Sequence, residues 1–164
     1  MTSLNRRWFL RATAGGLGLH GLLGSLGRLP ADEVQVPGGI AQFSSEMEPL
    51  VRFLEQTPRD QIIEQTATRI HEGLSYRQLL GALLLAGVRN VQPRPSVGFK
   101  FHAVLVVNSA HLASLSSADD DRWLPILWAI DNFKNSQQRD VREGDWTLRA
   151  VDAVSYTHLT LPTI

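Results

Sequence analysis

The chain has 164 residues, 43% hydrophobic and 20% charged, a globular balance that excludes collagen-like, disordered and disulfide-framework classes. It contains no cysteine, so thiolate metal sites and thiol redox chemistry are excluded and stability must come from a packed core. The formal charge is zero, but Arg6, Arg7, Arg11 and Arg28 all precede the first acidic residue, Asp32; removing those four from 16 Lys+Arg leaves 12 against 16 Asp+Glu, a net charge of −4. An acidic body without a basic stripe is poorly made to neutralise phosphates, so nucleic acid is not an expected partner.

The chain opens with Asn5-Arg6-Arg7-Trp8-Phe9-Leu10-Arg11 and then a weakly apolar stretch, residues 12–26, broken by Gly15, Gly16, Gly18, Gly21 and Gly24. Glycine at this density disfavours a stable helix by about 1 kcal/mol per site relative to alanine. The motif resembles the twin-arginine export signal, Ser/Thr-Arg-Arg-x-Phe-Leu-Lys, with Asn5 and Arg11 as its departures. That resemblance implies that Arg6, Arg7, Phe9 and Leu10 form the export signal, that the twin-arginine translocase is a partner, and that the bacterial periplasm or another exported location is the destination. The uninterrupted apolar length falls short of the roughly 20 residues that span a bilayer, so no stable transmembrane span is expected. Cleavage after Ala31 is the best-placed processing site, although Leu29 fits the small-x-small rule poorly; an uncleaved N-terminal anchor is the alternative. Residues 1–31 are thus read as signal segment and residues 32–44, with Pro37, Gly38 and Gly39, as linker.

From there the pattern is helical. Pro49 suits a first turn, and Leu50, Phe53 and Leu54 give a short apolar face that ends at Thr57-Pro58. Thr57 is then expected to cap a second helix whose stripe is Ile62, Ile63, Thr66, Ala67 and Ile70, closed by Gly73. His71 falls near its C-terminus, a favourable place for a positive charge. Ser75 with Gln78 forms a capping box for a third helix, which Leu79, Leu80, Leu83, Leu84, Leu85 and Val88 make apolar nearly all round, and therefore central. Pro93 and Pro95 mark a loop. The stretch from Phe99 to Leu115 has strand-like composition at residues 103–107 but helical length, and length favours a helix. Ser116 or Ser117 is expected to cap a fifth helix, with Asp119, Asp120 and Asp121 at its positive end and Trp123, Leu124, Leu127, Trp128, Ile130 and Phe133 as its buried face. Pro125 sits in its first turn or kinks it. Residues 45–152 are therefore expected to form an all-α, antiparallel array of about five helices. Residues 153–164, with Val154-Ser155-Tyr156-Thr157-His158-Leu159-Thr160-Leu161-Pro162-Thr163, read as the translation of a transposase-end sequencing adapter; they are expected to be foreign to the fold, and natural sequence to continue past Asp152.

Polar residues embedded in these apolar helices are the candidate site: His102, Asn108, His111 and Asp131. His102 and His111 are nine positions apart, which on a straight helix puts them on opposite faces and denies them a common metal ion. Asn108 and His111, at i and i+3, share a face; they either present an amide and an imidazole to one ligand or make an ordinary helix-surface or core hydrogen bond. Asp131 belongs to an apolar stripe and so needs a basic partner such as His102 or Arg89. Such a pair is either an acid/base unit or a structural bridge between two helices.

There is no nucleotide-binding glycine loop, no His-Glu-x-x-His, no di-iron Glu-x-x-His and no Gly-x-Ser-x-Gly elbow. The segment Gly98-Phe99-Lys100-Phe101-His102-Ala103-Val104-Leu105, followed by the apolar helix from Trp123 to Phe133, resembles the helical proteins grouped with questin oxidase, and that resemblance implies His102 as the functional position. Two readings stand: an exported binding or scaffold module of the cell envelope, and a periplasmic oxidoreductase with an unspecified cofactor around His102 and Asp131.

Overall fold

A computed structural model describes residues 26–36, 45–91 and 99–148, and among these the chain is all-α. The helices are α1 (Ala31–Val34), α2 (Glu48–Gln56), α3 (Arg59–His71), α4 (Tyr76–Asn90), α5 (Phe99–Leu115) and α6 (Trp123–Glu143). Single 3₁₀ turns, Ser45–Met47 and Asp119–Asp121, lead into α2 and α6.

Each boundary has a local cause. Thr57 does not cap α3. As the residue before a proline it is held extended, and its N–H instead donates to Phe53 O at 3.1 Å and ends α2. Pro58 takes the cap position, its carbonyl accepting from Gln61 and Ile62 at 3.1 and 3.0 Å. At the other end of α3, Gly73 adopts φ +103°, and the bonds Leu74 N to Arg69 O and Gly73 N to Ile70 O complete a Schellman turn. The capping box of α4 forms as its spacing requires: Gln78 N donates to Ser75 Oγ at 3.3 Å, and Ser75 N to Gln78 Oε1 at 3.1 Å.

Neither Ser116 nor Ser117 caps α6. Their hydroxyls donate backwards, to Leu112 O at 3.0 Å and Ala113 O at 2.7 Å, and so close α5. The three aspartates occupy the 3₁₀ turn, Arg122 precedes α6, and Pro125 falls in the first turn of that helix. α6 runs ten residues beyond Phe133, until Gly144 at φ +136° stops it.

α5 and α6, joined by residues 116–122, pack along each other as a hairpin, while α4 packs on α2, α5 and α6, and α3 lies on α6. Buried Ala82, Ala86 and Gly87 of α4 admit α5 closely: a Cβ on Gly87 would stand 3.5 Å from Val104 Cγ2. Leu54, Ile62, Leu79, Leu83, Ile126, Ile130 and Phe133 fill the centre. The end of the segment read as signal and the start of that read as linker pack on this body. Leu29 and Val34 are 1% and 0% exposed, and α1 packs on α4 and α5. Apolar side chains flanking Pro30 supply the burial, and one backbone and one side-chain bond lock it: Leu29 N donates to Asp119 O at 3.2 Å, and Arg122 Nη1 to Leu29 O at 2.9 Å. Among the described residues no helix is long and apolar enough to cross a membrane.

Candidate functional site

The polar groups gather in three places. On the α3–α6 side, Asp131 is held by Arg59, with Nε to Oδ1 and Nη2 to Oδ2 both at 2.8 Å. The partner is a basic side chain, as expected, but it is Arg59 and not Arg89; the side chain of His102 lies outside the described residues. Arg59 opens α3, which lies on α6, and its planar fork meets both carboxylate oxygens. Arg89 is engaged elsewhere. From the last turn of α4 it donates to Glu48 Oε2 at 2.7 Å and grips Glu55 through Nε at 2.9 Å and Nη2 at 2.7 Å. Asn90 Nδ2 joins at 2.6 Å on Glu55 Oε1. The guanidinium groups of Arg89 and Arg52 hold the Glu48 carboxyl well below the carboxylate range, at about 2.

Beside this network lies a group that sequence reasoning passed over. Lys134 is buried, and its Nζ donates to Leu54 O at 3.1 Å, Glu55 O at 2.9 Å and Gln137 Oε1. Its position on the stripe Leu127, Ile130, Lys134 at i, i+3, i+7 was a readable signal. The reason for the burial lies in α2. Leu54 O would bond the N–H four residues on, but that residue is Pro58, which has none, and the ammonium substitutes for it. Burial pushes the Lys134 ammonium down to about 8.

The third place is between α4 and the α5–α6 hairpin. Tyr76 is buried, its hydroxyl 3.3 Å from His111 Nδ1 and its ring 5.7 Å from that of Trp123. With the hydroxyl donating, Nδ1 accepts and the imidazole carries its proton on Nε2. Burial lowers the His111 pKa from its ordinary value and raises that of Tyr76, the latter partly offset by Ser114. His111 therefore turns inward, whereas Asn108, three residues earlier on α5, is exposed. The i, i+3 geometry holds, but the two side chains meet different surroundings. His71 lies exposed in the last turn of α3.

His102 is on α5, but its side chain lies outside the described residues, as do Arg6, Arg7, Phe9 and Leu10. Among the described residues no three His, Asp or Glu side chains converge as metal ligands. The outer face of α5 is mixed: Leu105, Leu112 and Leu115 are 49%, 55% and 38% exposed, and the exposed Asn108 and Ser109 lie between the first two. No family model matches the chain, and no curated protein or solved structure matches it.

Proposed function

We propose that the chain is an exported helical module of the cell envelope that binds or scaffolds rather than catalyses. The observation that carries the reading is the state of Asp131: both of its oxygens are taken by Arg59 across α3 and α6, so it serves as a tie rather than a general base. The Arg89 network and Lys134 are consumed in the same way, joining helices. Leu105, Leu112 and Leu115, exposed on α5 among the polar Asn108 and Ser109, support a binding role, since large apolar side chains left in water gain from being covered by a partner. Export rests on the Arg6-Arg7 motif and implies passage through the twin-arginine translocase in folded form.

Fractionation of a bacterial host that expresses the full chain tests the export half: Arg6→Lys with Arg7→Lys is expected to leave the protein in the cytoplasm. Metal analysis and absorption spectra of the exported protein test the other half. They are expected to show neither stoichiometric metal nor chromophore; a bound redox group would overturn the scaffold reading.

A further inference from the structure

We infer that the export leader is cut between Gly27 and Arg28, and not after Ala31; this rests on the export reading above. A leader peptidase hydrolyses an extended stretch carrying small residues at the third and first positions before the cut. The bond after Ala31 is inside α1, whose turn is closed by Glu33 N donating to Pro30 O at 3.2 Å. The residue three places before it is Leu29, large and 1% exposed, with its N–H on Asp119 O and its carbonyl held by Arg122. Cutting there requires that Leu29 be pulled out of the core, and the cut would then discard it.

Two residues upstream of Leu29 the chain is held less tightly: Leu26 is only partly buried against the core, whereas Leu29 is fully buried. Residues 27–30 are outside any helix, Gly27 is exposed, and a Cβ there would meet nothing within 4 Å. Ser25-Leu26-Gly27 has small residues at both required places. Water adds to the Gly27 carbonyl carbon and the bond to the Arg28 nitrogen breaks, leaving a Gly27 carboxylate on the leader and an Arg28 ammonium on the mature chain. Leu29, Val34 and the bonds to Asp119 all stay with the body. Arg28, whose guanidinium already reaches Asp119 at 3.4 Å and Asp120 at 3.3 Å, becomes an N-terminus facing acidic groups.

The test is N-terminal sequencing and intact mass of the full chain after expression and fractionation. Exported protein that begins at Arg28 is the expected result. Exported protein that begins at Asp32, or that retains residues 1–27, overturns the assignment. Intact chain found only in the cytoplasm marks failure of the export reading itself, and the assignment falls with it. Gly27→Leu is a second arm: it is expected to be exported with unchanged Tm but unprocessed, and cleavage at the parental bond would count against the site.

Discussion

Arg59 and Asp131, 72 positions apart, clasp through two parallel 2.8 Å hydrogen bonds and pin the start of α3 to the middle of α6. Each side chain is 38% exposed, so water screens the pair and its worth is nearer that of a surface bridge than of a buried one. Asp131→Asn keeps shape and removes charge. It is expected to cost about 1 kcal/mol in urea unfolding, with a coupling to Arg59→Ala of similar size or less in a double-mutant cycle. A loss several times larger, or a coupling near zero, would contradict a structural tie.

Lys134 gives a sharper prediction, because its task is set by covalent structure. Lys134→Met preserves most of the aliphatic stem but leaves Leu54 O without the donor that Pro58 cannot supply, while Glu55 O keeps Gln137 Nε2 at 3.2 Å. One orphaned carbonyl implies a loss of about 1–3 kcal/mol. The pH dependence has a definite sign. The folded lysine releases its proton near 8 and the unfolded one near 10.5, so between these values the unfolded state holds more protons and stability rises with pH. Urea midpoints at pH 8 and 9.5 are expected to increase in the parent and to change less in Lys134→Met.

The helices and the all-α class were legible because periodicity, the Ser75 to Gln78 capping box and Gly73 are local signals. What failed were two caps: Pro58 rather than Thr57 precedes α3, and Ser116 and Ser117 bond back to the carbonyls of α5 instead of opening α6. The partner of Asp131 was not legible, since it depends on α3 lying along α6, and sequence spacing carries no such information. Lys134 was legible in principle: a lysine on an apolar stripe has to be paired, and Pro58 announces a carbonyl in need of a donor. The packing of Leu29 and Val34 on the body was not legible, because these residues, with no periodic neighbours, make their contacts only in three dimensions.

His111 is expected to titrate below 6.5, since burial disfavours the imidazolium. Protonation would also remove the acceptor that faces the Tyr76 hydroxyl. Below pH 6.5 the unfolded state binds the proton more readily than the folded state, so stability falls as pH drops through that value. NMR titration of the His111 ring and urea midpoints at pH 7.5 and 5.5 check this, with His111→Gln expected to flatten part of the difference. Tyr76→Phe keeps the ring against Trp123 and is expected to cost about 1 kcal/mol, the value of one hydrogen bond.

The last prediction concerns how firmly the N-terminal segment belongs to the body. Leu29→Ala removes a fully buried side chain, a change that costs about 2–5 kcal/mol where the surroundings cannot collapse. A segment near the beginning of the described chain relaxes more easily than a helix interior, which places the expected loss toward the lower end of that range. Val36, 50% exposed just beyond α1, is the control, and Val36→Ala is expected to stay within about 0.5 kcal/mol of the parent. Equal, small losses for both variants would mean that the segment opens independently of global unfolding. A large loss at Leu29 alone makes it a core residue in energy as well as in geometry, because only residues inside the cooperative unit transmit their cavity cost to the unfolding midpoint.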